Sequence, residues 1–458
     1  MMSRKKSSDN TLKKSLCCGI LCVGLLVMVG IGLLIKHNTE KMDWGQIETV
    51  FPNRGLPRLN VSLNNVSLEE INTGSKDVKY EGNKMVVYDG RREVASFDDV
   101  QIKGRGNGTW VQEKKPYQIK FSRREDLFGM GKVRKWVLLA NALDATNLRT
   151  DIAFYIERML GLNNASDGRF VELYVDNEYQ GLYYLTHAIE IGKKAVDLRD
   201  PLGIIIELDN IYGWMGEYYE TNNKDKLVVK DVVTRDKTKE AMKEFLESFN
   251  EFEMAVKKND YEKVTEMIDV ESFAQYYLLS EFTVNPDAYW TSFYMYKDGS
   301  NDKIHAGPGW DFDLALANRV WGNWLGEEFF SSTNTMVRKR EIMPKEMYEE
   351  MGLTTIDGRD WYGVSLNLSH VMFNLMEMPE FREEVGRVYK DKMKGRKNEL
   401  IERIKIEAGE ISKAVSVDEK KWGENGFWRE IKTMGRWIGE RYDYFDIVYG
   451  GENVLLDN

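Results

Sequence analysis

Three carboxylates, Asp287, Asp311 and Asp313, stand among aromatic and apolar residues. Asn285-Pro286-Asp287 comes first, and Gly307-Pro308-Gly309-Trp310-Asp311-Phe312-Asp313 follows, with a hairpin pattern between them. Like charges in an apolar setting repel one another and lose hydration, so folding tolerates them poorly unless a cation or a reaction uses them. Oxygen-only ligands suit Mg²⁺, which takes one or two carboxylates and fills its other positions with phosphate oxygens and water. Read this way, the segment points to phosphoryl transfer. A buried Asp capping a turn is the alternative on these residues alone.

Cations that would face such carboxylates lie in Lys103-Gly104-Arg105-Gly106-Asn107-Gly108-Thr109-Trp110, after one predicted strand and before another over 117–121. A Gly-rich turn lets backbone N–H groups approach phosphate closely. The Gly-Lys-Ser/Thr ending of a Walker A loop is absent and no helix follows directly. Strand periodicity puts Tyr117, Ile119 and Phe121 on one face and Gln118 and Lys120 on the other; Gln101, Lys103 and Arg105 share a face opposite Val100 and Ile102. If the strands pair, one face is apolar and the other carries Lys103, Arg105 and Lys120. That face is a phosphate cradle or, on the simpler reading, a solvated sheet surface.

Other chemistry-bearing residues sit at element ends. Asp144 or Thr146 is a plausible N-cap for a helix over 144–160. Arg149 falls in its first turn, where the helix dipole disfavours a cation, so a partner carboxylate or phosphate is expected. Glu157 is expected to meet a lysine of the sheet. Glu207 and Asp209 end a short buried strand over 203–208.

The elements positioning these residues read as strands first and helices later. Strands are predicted over 58–63, 84–88 and 100–103, with hairpins at 170–175/179–185 and 295–297/303–306. Helices are predicted over 237–257 and 269–283, and the chain beyond about 335 is charged and helical, with breaks near 423–426. The body reads as one α+β unit of two lobes.

Composition bounds the function. The 458 residues are 42% hydrophobic, ordinary for a globular body, and 12 Trp and 23 Tyr suit sugar, nucleotide or peptide surfaces as well as cores. The net charge is −10; the first fifteen residues carry five Lys/Arg and one Asp (+4), so the remainder carries −14. Nucleic-acid binding is therefore not expected of the body. Residues 16–35 form an apolar run of membrane-spanning length behind Arg4, Lys5, Lys6, Lys13 and Lys14. This predicts a single-pass anchor with a cytoplasmic N-terminus and an extracytoplasmic body, a cleaved signal peptide being the alternative. Cys17, Cys18 and Cys22 all lie in that run, so the body has no disulfide and no thiol nucleophile. His37, His187, His305 and His370 are scattered, which argues against a zinc site or a Ser-His-Asp triad.

Lys103-Gly-Arg-Gly-Asn-Gly-Thr-Trp110, Lys114-Lys-Pro-Tyr-Gln-Ile-Lys120, Leu148-Arg149, Gly181-Leu-Tyr-Tyr-Leu185, Ile206-Glu-Leu-Asp-Asn210, Asn285-Pro-Asp-Ala288 and Trp310-Asp-Phe-Asp313 occur in this order. Together they resemble the spore coat protein H (CotH) family of atypical kinases, from about 55 to 320 and more loosely to about 445. The resemblance implies an atypical protein-kinase-like two-lobed fold, with a strand-rich lobe over about 51–210 and a helix-rich lobe over about 211–450. Before it come a basic tail (1–15), the transmembrane anchor and a stem (36–50). It implies ATP and Mg²⁺ (or Mn²⁺) between the lobes, and phosphorylation of a hydroxyl, Ser in particular, on a surface or coat protein. Asp311 resembles the metal-binding Asp of a D-F-G-type motif, and Asp287 the other active-site aspartate, as base or second metal ligand; Asp313 is structural or a secondary ligand. The Gly104–Gly108 turn, with Arg105, Gly106 and Asn107, Lys120 and Glu207 would hold the nucleotide. One departure is His187, where many members carry an acidic residue; Glu190 is the nearby substitute. A catalytically inactive kinase-fold scaffold at the cell surface is the alternative function, and transfer of AMP a third.

Overall fold

The computed structural model describes residues 52–210, 213–289, 291–318, 332, 371–372, 374–423 and 426–451. The predicted tail, anchor and stem lie outside the described residues, and no helix among those described is long and apolar enough to cross a membrane.

Seven strands close into a barrel: β1 (Arg58–Ser62), β2 (Tyr80–Asp89), β3 (Arg92–Gly104), β4 (Tyr117–Asp126), β5 (Lys132–Leu139), β6 (Gly168–Val175) and β7 (Glu178–His187), in the order β1-β2-β3-β4-β5-β7-β6. Neighbours are antiparallel except at the closure, where β6 runs parallel to β1 with Leu59 opposite Leu173. Closure leaves no open edge and gathers one alternating set of side chains inside. Leu59, Val61, Val100, Ile102, Ile119 and Trp136 are fully buried there. The expected pairing of the third and fourth strands is present, with Ile102 opposite Ile119 and Lys103 opposite Gln118. Short helix α1 (Leu68–Thr73) starts at a capping box formed by Ser67 and Glu70.

Helix α2 (Arg149–Leu160) leaves the barrel and packs into a second, larger core. That core covers a five-stranded sheet in the order β12-β11-β8-β10-β9: β8 (Ile204–Leu208), β9 (Tyr219–Glu220), β10 (Lys226–Val232), β11 (Phe293–Lys297) and β12 (His305–Ala306). Central β8 is buried along its whole length, which is why it reads Ile204-Ile205-Ile206 without alternation. The sequence reading grouped this strand with the first lobe, but its hydrogen bonds run to β10 and β11 of the second. Around the sheet lie α3 (Thr238–Lys257), α4 (Tyr261–Met267), α5 (Val270–Thr283), α6 (Pro379–Val388), α7 (Lys397–Trp422) and α8 (Phe427–Val448). The architecture is thus α+β, strand-rich first and helical later.

Helix α7 is pinned to the barrel by a buried ion pair. Lys114 Nζ lies 2.7 Å from Asp418 Oδ2, Leu182 N donates to Asp418 Oδ1 at 2.8 Å, and Trp422 Nε1 donates to the Gln180 carbonyl at 3.1 Å. Gly181 permits this approach: at φ +133° a Cβ there would stand 2.5 Å from Asp418 Oδ1 and 3.0 Å from Trp422 Nε1. The Lys114 and Gly181 motifs are explained by this docking.

Candidate functional site

Between barrel and second core lies a cleft of about 500 Å³. Its barrel wall is the β3–β4 connection. Gly106 (φ +81°) leads into a 3₁₀ turn, Gly108–Val111, and a Cβ on it would meet Thr109 Oγ1 at 2.2 Å, so the residue must be glycine. Lys76, from the loop after α1, donates through Nζ to the Gly106 carbonyl at 2.6 Å and to Asn107 Oδ1. Lys103 stands 3.8 Å from Asp77. The Arg105 guanidinium lies 5.2 Å over the Trp310 ring and enters no ion pair among the described residues. Burial lowers its pKa, and the field of Tyr294, Asp311, Glu207 and Asp313 opposes that shift. Three cations therefore line one wall.

The facing wall carries the carboxylates. Val284 (φ +48°) ends α5, and the side chain of Asn285 then ties the two acidic segments together: Oδ1 accepts from Asp287 N and Nδ2 donates to the Asp311 carbonyl, both at 3.1 Å. Asp311 has φ +66°, and Ser292 Oγ donates to its Oδ2 at 3.2 Å. Burial raises the Asp311 pKa, with Arg105 and Ser292 pulling the other way and Asp209 adding repulsion. Asp313 is raised further, by burial and by repulsion from Asp311, Asp287 and Asp144. Glu207 pairs with Lys230 at 2.5 Å, and Asp209 accepts from Thr291 Oγ1 at 2.8 Å.

Helix α2 sets the loop that delivers Asp311. Phe154 packs on Trp310 (centroids 6.1 Å) and edge-on to Phe312 (6.2 Å). Glu157 is fully buried; its Oε1 accepts from Gly309 N at 2.6 Å and its Oε2 from Ser166 N at 3.2 Å. Among the described residues no lysine pairs with it, because the side chain turns to the backbone of the acidic loop. Burial, only partly offset by these N–H donors, pushes its pKa up to about 8. Arg149 pairs with Asp144, which also accepts from Arg149 N at 2.9 Å and Thr146 Oγ1 at 2.6 Å. The partner that Arg149 required is therefore a carboxylate, and the α-helix begins at Arg149, after the predicted start.

Asp287, Asp311, Asp313 and Glu207 line the cleft together, with Arg105, Gly106, Asn107 and Gly108 opposite them. Two predicted residues do not. Lys120 shares the outer face of Lys103, but it pairs with Gln101 farther down the strand, and β4 reaches the cleft through Gln118. Gly104 packs under Trp110, whose ring would lie 2.4 Å from a Cβ. His187 and Glu190 are also outside the lining. His187 sits edge-on to Trp136 at 4.6 Å, and Glu190 accepts from Arg134 N at 2.7 Å and Lys135 N at 3.2 Å. The departure at His187 therefore leaves the acidic wall intact. Lys76, Thr291 and Ser292 join the site without a motif of their own, and Asp209, legible as a strand-end carboxylate within Ile206–Asn210, joins it too.

The donor set fits a hard cation bound together with phosphate. Asp311 and Asp313 repel each other in the fold, with no ammonium or guanidinium in ion-pair contact among the described residues, and the donors are all oxygen. Among the described residues no group of three or more His, Cys, Asp or Glu side chains converges to hold a metal by itself. A metal at Asp311 would thus take its remaining ligands from phosphate and water, the habit of Mg²⁺.

The family model described as CotH kinase protein matches residues 101–445. No curated protein matches the chain. The match spans most of the chain, and the protein belongs to the CotH kinase family.

Proposed function

We propose that this member of the CotH kinase family transfers the γ-phosphoryl group of ATP to a hydroxyl, Ser in particular, of a surface or coat protein. The observation that carries this reading is the cleft with Arg105, Lys103 and Lys76 on one wall and Asp287, Asp311 and Asp313 on the other. The barrel and the second core stand as the two lobes of an atypical protein-kinase-like fold. Residues 16–35 would hold the body at the membrane, outside the cytoplasm.

The cations and the N–H groups of the Gly106–Gly108 turn cradle the phosphates, with Lys103 and Lys76 in the place first given to Lys120. Asp311, with Asp313 beside it, would hold Mg²⁺ or Mn²⁺, which when bound neutralises phosphate charge. Arg105 stabilises charge on the transferred group, in a site where fixed donors need no reorganisation. Asp287, half-buried at the cleft, orients the acceptor hydroxyl and takes its proton.

The test is incubation of the full chain with γ-labelled ATP, Mg²⁺ or Mn²⁺, and Ser-containing surface proteins. Asp311→Asn is expected to cut labelling by about 10²–10³-fold while circular dichroism stays unchanged. Labelling at the wild-type rate in that variant removes Asp311 from the mechanism. A wild-type chain showing no ATP·Mg²⁺ thermal shift is a scaffold, and an added mass of AMP reassigns the transferred group.

A further inference from the structure

Away from the cleft, two carboxyl groups are buried with one oxygen each left bare. Asp225, beside the first residue of β10, has no exposed surface, and Glu253 on α3 retains 5%. Asp225 Oδ1 accepts from Asn210 Nδ2 at 2.8 Å, but Oδ2 is buried with no hydrogen-bond partner. Glu253 Oε1 accepts from Thr221 Oγ1 at 3.3 Å, and its Oε2 is likewise buried without a partner.

Thr221 joins the two groups. Its Oγ1 also accepts from Asp225 N at 3.3 Å and Asn223 N at 3.2 Å, inside a turn closed by Thr221 N donating to the Asp225 carbonyl at 3.0 Å. The adjacent ammonium, Lys226 Nζ, is directed over the Tyr218 ring at 5.9 Å, and neither carboxylate enters an ion pair among the described residues. Two carboxylates sharing a buried site repel each other and lose hydration, a combination that a bound cation reverses. Burial pushes Asp225 up to about 8, with repulsion from Glu253 adding to the shift and Asn210 and Lys226 only partly opposing it, and burial pushes Glu253 up to about 7 against hydrogen bonds from Thr221 and Asn223.

We infer that Asp225 and Glu253, with the oxygens of the Thr221–Asp225 turn, form a Ca²⁺ site. The donors are oxygen only, which excludes the ligand sets preferred by zinc and copper. They come from one irregular turn and one helix, and Ca²⁺ accepts such uneven geometry with water completing the shell, whereas Mg²⁺ demands a near-ideal octahedron. The site also has a structural target. Asn210, which braces Asp225 Oδ1 and accepts from Lys226 N at 2.8 Å, directly follows Asp209 on the acidic wall of the cleft. Cation binding therefore stiffens the segment that carries Asp209, and it does so whether or not the cleft is a kinase site.

Thermal unfolding of the full chain at pH 7.5, in chelator and then across a CaCl₂ or MgCl₂ titration, tests this. Ca²⁺ is expected to raise Tm by several degrees in a saturable way, more than Mg²⁺ at equal concentration, with terbium luminescence reporting the same site. Asp225→Asn and Glu253→Gln should each abolish that rise while unfolding in chelator at or above the wild-type Tm. Asp311→Asn should retain it, which separates this site from the cleft. A wild-type chain with no Ca²⁺-specific rise, or a rise that survives in both site variants, overturns the assignment. In the first case the carboxyls share a proton instead, and stability in chelator falls between pH 6 and 8 with no response to Ca²⁺.

Discussion

Lys114–Asp418 and Asp311–Asp313 are both clusters of charge drawn into the protein, and the chain treats them in opposite ways. At the α7 docking point both Asp418 oxygens are satisfied internally, one by Lys114 Nζ and one by Leu182 N, with each side chain of the pair only 4% exposed. In the cleft, Asp311 receives one hydroxyl, Asp313 repels its neighbours, and the guanidinium opposite stays out of ion-pair range. The backbone differs too. Val284, Tyr289, Ser292, Asp311, Leu316 and Ala317 have φ between +48° and +71° in and beside the acidic segments, and no β-branched or aromatic residue adopts that region cheaply. A charge cluster completed by its own chain holds structure; one left incomplete, on strained backbone held by a surrounding core, is built for something that arrives later.

Five variants break or sharpen this contrast. Lys114→Ala leaves Asp418 buried without its cation and is expected to cost about 3–5 kcal/mol in urea unfolding. A loss below about 1 kcal/mol would mean that the docking point is no more self-sufficient than the cleft. Arg105→Ala removes a charged donor from the cleft and should weaken ATP binding by about 1.5–3 kcal/mol, tenfold or more in Kd by calorimetry. Lys120→Ala should change that Kd less than twofold, and equal effects of the two would put Lys120 back among the phosphate ligands.

Glu157→Gln addresses pH. The folded pKa of Glu157, about 8, lies above the unfolded carboxyl value, so its contribution to stability is full below the unfolded pKa and is lost as pH rises through the folded one. Wild type should lose up to about 1.4 kcal/mol per pH unit in that window through this group, and the variant should lose less. Parallel profiles would show that Glu157 titrates normally. The smallest effect belongs to Asp313→Asn, which relieves repulsion: stability within about 0.5 kcal/mol of wild type, or above it. A large destabilisation would make Asp313 a structural carboxylate like Asp418.

Regular alternation made the hairpins of β6–β7 and β11–β12 and the β3–β4 pairing legible, because a single buried face imposes period two on the chain. Strand β5 is not legible as alternation: Lys132-Val-Arg-Lys opens it with charge on a barrel wall, and the apolar run Trp136-Val-Leu-Leu139 that follows does not alternate. The first half of β3, 92–99, escapes prediction for a related reason, since that end of the hairpin extends past the core with mostly exposed side chains. Lys120 was assigned by face, correctly, but a face does not say how far along the strand the cleft begins. Glu157 is expected to meet a lysine of the sheet, while its oxygens accept from the nearby Ser166 N–H and from Gly309 N–H, 152 residues away.

The sequence by itself determined the order of elements, the family and the residue types that meet in the cleft, because those follow from local periodicity and from motifs carried on short segments. The tertiary structure alone decided which charges are completed. Asp418 finds Lys114 across some 300 residues, Asp225 and Glu253 enter no ion pair among the described residues, and Lys76 reaches the Gly-rich turn from a loop with no pattern. Each outcome depends on distances between segments remote in sequence, and burial then fixes what each unsatisfied oxygen can bind.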